Sequence, residues 1–420
     1  MSKYHPINIG LSPNTERDDI ALAKKLLLNP KHLLHGNAVE KLEEKFREFL
    51  PIKYAFAFRS GRSALYTALL TLDFKPGDEV LLQSYTCAAV PNAVMWAKAK
   101  PVYVDIDENN LNMSLKDLES KISLKSKAII VQHTFGFPID MRRILSIAKR
   151  KNLIVIEDCA LSLGAKYDGR KVGTFGDISI FSFGRDKVIS SVTGGIAVTN
   201  NADLAQKLKI SRANYKIPSI AWTIRRLLHP ILMNNVILPA YNFLSFGKIA
   251  LEILKTIHVI PKAVYKIEKV GGLEKSLIGL MPNALAALAL HQFKKLDKLN
   301  DHRRKIAAIY NKELEPVAGK NFKLPVEEGN STRIYLRYNV KTNKAKEILQ
   351  KARRTNIILG DWYRPSIAPH GVSFAKMQYD PDTCPVAEHI SRESLNLPTS
   401  INIKDSDALK IAEFIKQHYL

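Results

Sequence analysis

The amino-acid sequence predicts an α/β fold: a large domain with a mainly parallel central sheet flanked by helices, and a smaller α/β domain at the C-terminal end. Two observations support this prediction. Short apolar segments alternate with helical patterns through the first half of the chain, at the spacing of βαβ units. The chain is also 420 residues long and 46% hydrophobic, which is enough to bury more than one core.

The alternation begins with residues 36–50, whose apolar side chains recur at helical spacing and predict an amphipathic helix. A short strand is expected at 54–58, followed by a break at Arg59-Ser60-Gly61 and a helix from about Ser63. Helical patterns separate most of the remaining predicted strands, which are GDEVLLQSYT, PVYVDID, KAIIVQHTFG, LIVIEDCA, SIFSFG and GGIAVTN.

The pattern changes after residue 215 and divides the chain into three parts. Residues 1–215 form the N-terminal segment and the large domain. Residues 216–275 are an apolar, basic insertion that contains four prolines. Residues 276–420 contain one long linking helix, expected over 283–315, and the small C-terminal domain.

The charge and the cysteines limit the class of protein. A net charge of +23 favours an anionic partner, although a basic soluble enzyme has the same composition. No zinc-finger or RNA-binding signature is present, so no nucleic-acid partner is expected. Cys87, Cys159 and Cys384 are too scattered for a metal site or a disulfide framework. The scattered cysteines, together with the lack of a signal-peptide pattern in MSKYHPINIG, predict a cytoplasmic protein without a metal ion.

Two polar features at predicted strand ends suggest a binding site. The stretch Ser60-Gly61-Arg62-Ser63 joins a strand to a helix, and the free amides of a helix N-terminus suit a phosphate group. A tight turn with an N-cap serine has the same pattern. Asp158 ends the apolar strand IVIEDCA, where a buried carboxylate needs a partner such as a protonated aromatic nitrogen. A carboxylate that caps the next turn is the alternative.

Lys187 is the third feature, because it follows the apolar strand end FSF and precedes the Gly194-Gly195 return. A lysine amine whose charged form is disfavoured can form a Schiff base with an aldehyde, whereas an ordinary loop lysine is solvated. A phosphate cradle, an acid for a ring nitrogen and an amine are the groups that pyridoxal 5'-phosphate (PLP) requires.

These motifs resemble the DegT/StrS-type family of PLP-dependent sugar aminotransferases, which have the aspartate-aminotransferase fold (fold type I). The resemblance covers most of the chain outside 216–275. It implies a homodimer that transfers an amine, usually from glutamate, to a nucleotide-linked keto-sugar in polysaccharide or glycoconjugate synthesis; a lipid-linked keto-sugar is the further expectation if the insertion lies at a membrane. The segments that carry it are SGRSAL, GDEV, PVYVDID, EDCALSLGA, VGTFGDISIFSFGRDK, TGGIAVTN and PVAEHISRESLNLP.

The resemblance also implies roles for individual residues. Lys187 is the catalytic, Schiff-base lysine, Asp158 pairs with the pyridine nitrogen, and Ser182 resembles a phosphate ligand. The phosphate turn contains Gly61, Arg62 and Ser63, with Arg62 in place of the family's threonine; a guanidinium group is itself a good phosphate partner.

Other cofactor-binding positions depart from the family pattern. Cys87 replaces an aromatic ring that covers the cofactor, and Leu161 replaces a glutamine or histidine near its phenolic oxygen. Ile278 occupies the position of an asparagine that reaches the partner's phosphate, unless Asn283 substitutes in a shifted register. Two alternatives therefore stay open: a PLP-dependent sugar dehydratase, although dehydratases commonly lack the lysine seen at 187, and a membrane-associated binding protein with a degenerate PLP site.

The insertion at 216–275 differs from the rest of the chain in its composition. Residues 227–247 contain no Asp, Glu, Lys or Arg, but two prolines and three asparagines disfavour a membrane span. The following stretch, KIALEILKTIHVI, predicts an amphipathic helix, and basic residues outnumber acidic ones around it. These features predict helices that lie on an anionic membrane surface, at the inner face of the cell membrane. A dimer contact or a lid over the active site is the alternative.

Overall fold

The computed structural model describes residues 4–257, 259–326 and 329–419. The helices are α1 (Arg17–Leu27), α2 (Ala38–Phe49), α3 (Gly61–Leu70), α4 (Ala89–Trp96), α5 (Leu115–Lys121), α6 (Met141–Lys151), α7 (Ala202–Ala213), α8 (Ile220–Leu232), α9 (Phe246–Thr256), α10 (Asn283–Phe293), α11 (Leu296–Leu314), α12 (Ala345–Arg354), α13 (Pro385–Glu393) and α14 (Asp405–Lys416). The strands are β1 (Ile7–Asn8), β2 (Tyr54–Phe58), β3 (Glu79–Gln83), β4 (Thr86–Cys87), β5 (Lys100–Val104), β6 (Ser126–Gln132), β7 (Ile154–Asp158), β8 (Lys166–Tyr167), β9 (Arg170–Lys171), β10 (Ile178–Ser182), β11 (Gly195–Thr199), β12 (Phe322–Lys323), β13 (Ser331–Thr332), β14 (Tyr338–Thr342), β15 (Ile357–Ile358), β16 (Ile367–Ala368) and β17 (Ser394–Leu397).

A seven-stranded sheet in the order β2-β11-β10-β7-β6-β3-β5 forms the centre of the large domain. Every neighbouring pair is parallel except those that β11 makes with β10 and β2. The predicted fold class is confirmed. Helices cover both faces, and successive strand residues therefore enter different cores: Leu81 and Ile129 pack on one face, Leu82 and Ile130 on the other.

A second core lies in the C-terminal part of the chain. There α11, α12 and α14 pack against the antiparallel sheet β12-β14-β17. The first strand of the chain, β1, pairs in parallel with β15, so Ile7 lies opposite Ile357. The N-terminal segment therefore reaches the small domain, whereas α1 contacts α8 and α10 on the large-domain side.

The single helix expected over 283–315 is two helices, α10 and α11, so that prediction is wrong. The interruption lies at Lys294 and Lys295. The ammonium group of Lys295 is 2.9 Å from carboxylate oxygens of both Asp18 and Asp19 in α1. This long-range ionic contact coincides with the break, and a local helical pattern does not reveal it.

The insertion at 216–275 folds against the large domain; His258 lies outside the described residues. It contains α8, a π-helical turn at Met233–Ile237 and α9, around a small core that includes Leu251 and Ile260. His229 of α8 lies 2.9 Å from the Ser12 hydroxyl. None of the helices in the described ranges has the length and apolar composition that a bilayer crossing requires.

Two glycines allow three chain segments to meet at one edge of the central sheet. A Cβ atom on Gly195 would lie 2.6 Å from the backbone of Gly61, and a Cβ atom on Gly61 would lie 2.7 Å from Cβ of Ser182. The turn between β2 and α3 can therefore rest directly on β10 and β11 only if both positions lack a side chain.

We predict that Gly195→Ala lowers the free energy of unfolding by about 1–3 kcal/mol, because the added methyl group meets backbone atoms that cannot rotate away. Gly319→Ala is the matched control, since no atom lies within 4 Å of a Cβ at that position. Denaturant titration of both variants measures the difference. Equal stability of the two variants would contradict this account of the contact.

Candidate active site

Seven of the eight site residues expected from the sequence line a single cavity at the carboxyl ends of the parallel strands. They are Gly61, Arg62, Cys87, Asp158, Leu161, Ser182 and Lys187. Ligand sites in open parallel sheets commonly lie at this edge. Ser63 is the eighth residue and is not part of the cavity wall: it is fully buried, and its hydroxyl accepts a hydrogen bond from the Gly279 N–H at 3.2 Å.

One end of the cavity is the N-terminus of α3. The Ser60 hydroxyl caps this helix by accepting the Ser63 N–H at 3.0 Å, and it donates to the Leu277 carbonyl at 2.8 Å. The next two amides, those of Gly61 and Arg62, belong to the first helical turn, which has no carbonyl of its own to bond. The Ser182 hydroxyl reaches this turn because Gly61 has no side chain. Amides, a hydroxyl and the helix dipole fit a phosphate group here.

The guanidinium group of Arg62 contacts the insertion. Its Nη1 atom is 3.0 Å from Oε1 of Glu268, a fully buried residue of the insertion, and its Nη2 donates to the Ala263 carbonyl. Burial raises the pKa of Glu268, and the charge of Arg62 opposes this shift. Arg62 therefore holds the insertion against the cavity, whose wall it also lines.

Asp158 is positioned by the pairing of β7 with both neighbouring strands. It lies opposite Gln132 of β6 and Ile180 of β10, and only 6% of the residue is exposed. One carboxylate oxygen accepts the Ala160 N–H at 3.0 Å. Burial raises the pKa of Asp158, and the positive charge of Lys187 partly offsets this effect. A protonated pyridine nitrogen would supply the missing counter-charge, so this position fits the ring of PLP.

The carboxylate of Glu157 points to the opposite face of the strand and has a structural role. It accepts the backbone N–H groups of Gly173, Phe175 and Gly176 at 2.7–2.8 Å, and His133 Nε2 lies 3.2 Å away. Although burial opposes ionisation, these partners hold the pKa of Glu157 below its usual value. This carboxylate fixes the loop that enters β10, whereas Asp158 faces the cavity.

The loop that carries Lys187 is fixed on both sides. The Lys187 carbonyl accepts from the amide group of Asn14, and the preceding Asp186 forms a 2.9 Å ion pair with Arg337. Burial disfavours the Asp186 carboxylate, but the neighbouring cations Lys187, Arg337 and Arg185 hold its pKa below the usual value. Arg303 bonds both Asn14, at 2.9 Å, and the Val188 carbonyl, at 2.7 Å. These contacts keep the lysine facing the cavity.

The remaining wall combines expected and unexpected residues. Cys87 and Leu161 line the cavity, as their positions in the sequence motifs predict. Burial raises the pKa of the Cys87 thiol, which therefore stays neutral. Tyr363 lines the same cavity and stacks on Phe135, with ring centroids 5.5 Å apart. No motif pointed to Tyr363, because it is far along the chain.

Three further lining residues, Gln132, Arg185 and Arg226, were also missed. Gln132 ends β6 as Asp158 ends β7, and Arg185 lies within the motif that contains Lys187. A search of every strand end and of every motif position for polar groups would have found both. Arg226 belongs to the insertion, for which no pattern was available.

The asparagine expected to substitute in a shifted register is used within its own subunit. Oδ1 of Asn283 accepts the Ala38 N–H at 2.9 Å, and its Nδ2 donates to the His32 carbonyl at 2.7 Å. Ile278 contributes no polar side chain. The neighbouring Gly279 carbonyl accepts the Arg59 N–H at 2.8 Å, which ties this turn to the end of β2.

Comparison with known proteins gives a consistent result. The family model of the DegT/DnrJ/EryC1/StrS aminotransferases matches residues 14–216 and 268–416. The GDP-perosamine synthase of Escherichia coli O157:H7 is 31% identical over 385 residues, which cover 91% of each chain. The UDP-N-acetyl-3-dehydro-alpha-D-glucosamine 3-aminotransferase of Acidithiobacillus ferrooxidans is 28% identical and covers 96% of this chain and 94% of its own. The fold is that of PseC, an aminotransferase of Helicobacter pylori, with a TM-score of 0.76 and 22% identity over 99% of both chains.

We predict that Asp158→Asn slows the half-reaction with an amino donor by about 10²–10³-fold, because a preorganised charge opposite the ring nitrogen is lost. Cofactor content should change little, since the other contacts remain. Glu157→Gln is the control, because it removes a buried carboxylate that does not face the cavity. It should lower the melting temperature, whereas Asp158→Asn should not. Near-normal turnover of Asp158→Asn would refute the assignment.

Proposed function

This chain belongs to the DegT/DnrJ/EryC1/StrS aminotransferase family, and we propose that it transfers the amino group of glutamate to a nucleotide-linked or lipid-linked keto-sugar in polysaccharide or glycoconjugate synthesis. It is a PLP-dependent sugar aminotransferase. The observation that carries the site assignment is the single cavity that Asp158, Lys187 and the N-terminus of α3 share. The names of the two relatives specify GDP- and UDP-linked sugars, which supports a nucleotide-linked substrate.

The residues of the cavity have distinct roles in this proposal. PLP, when bound, supplies an electron sink that stabilises negative charge on the substrate carbon. Asp158 keeps the ring nitrogen protonated, and the α3 amides with Ser182 orient the phosphate. Lys187 would hold the cofactor through its Nζ amine, and the same amine, when free, would accept and return a proton at the substrate carbon.

We predict that the purified protein has the absorption band of lysine-attached PLP and that glutamate bleaches this band. Lys187→Ala should lack the band, because the attaching amine is gone. Lys262→Ala is the control, since Lys262 also lines the cavity but belongs to the insertion. After borohydride reduction, peptide mapping should find the cofactor on Lys187. A band that no amino donor changes would favour the dehydratase alternative, and the absence of a band would favour a binding protein.

We also propose that the enzyme is a homodimer and that it works in the cytoplasm at the inner face of the cell membrane. Membership of the family supports the dimer. The surface of the insertion supports the membrane contact: ten of the fifteen exposed large apolar side chains in the described part of the chain lie within 216–275.

Part of this surface is an apolar stripe on α9 and the residue that follows it. Phe246, Ile249, Ile253 and Ile257 recur at helical spacing and are 53–56% exposed. The helix is anchored to the protein by a different face, through Leu251. An exposed stripe of this kind is typical of an interaction surface, and the lysines of the segment suit an anionic lipid surface.

We predict that the protein sediments with phosphatidylglycerol vesicles, less with phosphatidylcholine vesicles, and dissociates partly in high salt. Replacement of Ile249, Ile253 and Ile257 by Ser should weaken vesicle binding at least about tenfold, because buried apolar area is lost. The matched control replaces Leu28, Leu124 and Ile210, which are exposed elsewhere. If the protein stays in the supernatant and the Ile variant dissociates into monomers, the stripe is a subunit contact instead.

A further inference from the structure

The insertion supplies basic and polar groups to the cavity. Arg226 of α8, together with Lys262 and Tyr265 of the loop after α9, lines the same cavity as Asp158 and Lys187. All three lie within 217–267, the stretch that the family model leaves unmatched. The cavity is therefore completed by a part of the chain that the family pattern does not describe.

The large domain holds the loop that carries Lys262 and Tyr265 in a defined position. Arg185 Nη1 donates to the Pro261 carbonyl at 2.8 Å, and Arg62 pairs with Glu268. The side-chain amide of Asn92 donates to the Glu268 carbonyl at 2.7 Å. Contacts on both sides of Lys262 and Tyr265 thus fix where the cations of the insertion lie.

Arg226 is buried without a carboxylate. Only 4% of the residue is exposed, and its guanidinium carbon lies 3.9 Å from the centre of the Trp222 ring. Its Nε has no hydrogen-bond acceptor, and no carboxylate of the described residues forms an ion pair with it. Burial lowers the pKa of Arg226; Tyr265, which forms a hydrogen bond with this side chain, and the more distant carboxylate of Glu274 oppose this shift. A buried cation in this state is costly unless a ligand brings the anion.

The position of Arg226 indicates where that anion binds. The guanidinium of Arg59, which directly precedes the cap of α3, lies 5.5 Å from the centre of the same Trp222 ring. Burial and the charge of Arg226 lower the pKa of Arg59 to about 10. Arg226 lines the same cavity as Gly61 and Arg62 at the N-terminus of α3 and as Ser182.

The other arginines here already have protein acceptors. Arg59 donates to the carbonyls of Ser276 and Lys216, Arg62 to Glu268, and Arg185 to Pro261. The Nε atoms of Arg226 and Arg59 both lack an acceptor among the described residues. Arg59 is held by two carbonyls through its other nitrogens, whereas Arg226 contacts the Trp222 ring and Tyr265.

We infer that Arg226 binds a phosphate group at the N-terminus of α3 and that this group is the 5'-phosphate of the cofactor. The inference rests on the proposed placement of PLP in this cavity. A guanidinium group forms strong charge-assisted hydrogen bonds to a phosphate dianion, and the dianion neutralises the buried charge. The insertion then supplies, within one subunit, a cofactor contact that the family motifs of this chain lack.

The test compares pyridoxamine 5'-phosphate with pyridoxamine, which bind without attachment to Lys187 and differ only in the phosphate. Fluorescence titration of the full-length apoprotein measures both affinities. Arg226→Gln should weaken binding of pyridoxamine 5'-phosphate by about 10–100-fold and that of pyridoxamine less than about twofold. Arg226→Lys should restore part of the loss. Arg225→Gln is the matched control, because Arg225 is the exposed neighbour on the same helix.

Equal losses for the two ligands, or no loss for either, would overturn the inference. A second titration, of PLP-loaded protein with inorganic pyrophosphate, tests for a substrate phosphate. If Arg226→Gln weakens only pyrophosphate binding, Arg226 serves the substrate and not the cofactor, which also overturns the assignment. Failure of the proposed site is a separate result: borohydride mapping would then find the cofactor on a lysine other than Lys187 in the wild-type protein.

Discussion

The parallel register between β7 and β10 is the constraint on which the candidate active site depends. Because Asp158 lies opposite Ile180, the last residues of both strands reach the same edge of the sheet, and Ser182 comes one pleat further on. The alternation of side chains then separates two adjacent carboxylates. Glu157 secures the loop that enters β10, and Asp158 faces the cavity. A shift of β7 by one residue would turn Glu157 toward the cavity and Asp158 toward the loop that enters β10.

Much of this arrangement was predictable from the sequence, because local signals encode it. Apolar runs that end in Asp158 or in the stretch before Lys187 show where strands stop, and family motifs add the expected chemistry. The wrong or missing predictions concern features that depend on contacts between residues far apart in the sequence. The helix break at Lys295 coincides with ionic contacts to α1, and the ion pair of Arg62 with Glu268 of the insertion likewise joins residues that are far apart in the sequence. Tyr363 and Arg226 reach the cavity only through the tertiary fold, so no local pattern could have indicated them.

The insertion has two faces with different properties. Its inner face brings Arg226, Lys262 and Tyr265 to the cavity, and its outer face exposes the apolar stripe on α9. The alternatives of lid and membrane surface that the sequence left open therefore involve different side chains and are compatible with each other. A single segment of this kind can adjust the environment of the cofactor on one side and the surroundings of the enzyme on the other.

The pairing of β1 with β15 has a consequence for how the protein is made. The first strand leaves the ribosome long before its partner, which lies near the end of the chain. Asn14 likewise needs Arg303 as well as the Lys187 loop. The large sheet can assemble during synthesis, but the support of the lysine loop has to wait until most of the chain has emerged. Until then, an incomplete chain lacks the contacts among Asn14, Arg303 and the Lys187 carbonyl that hold this loop in place.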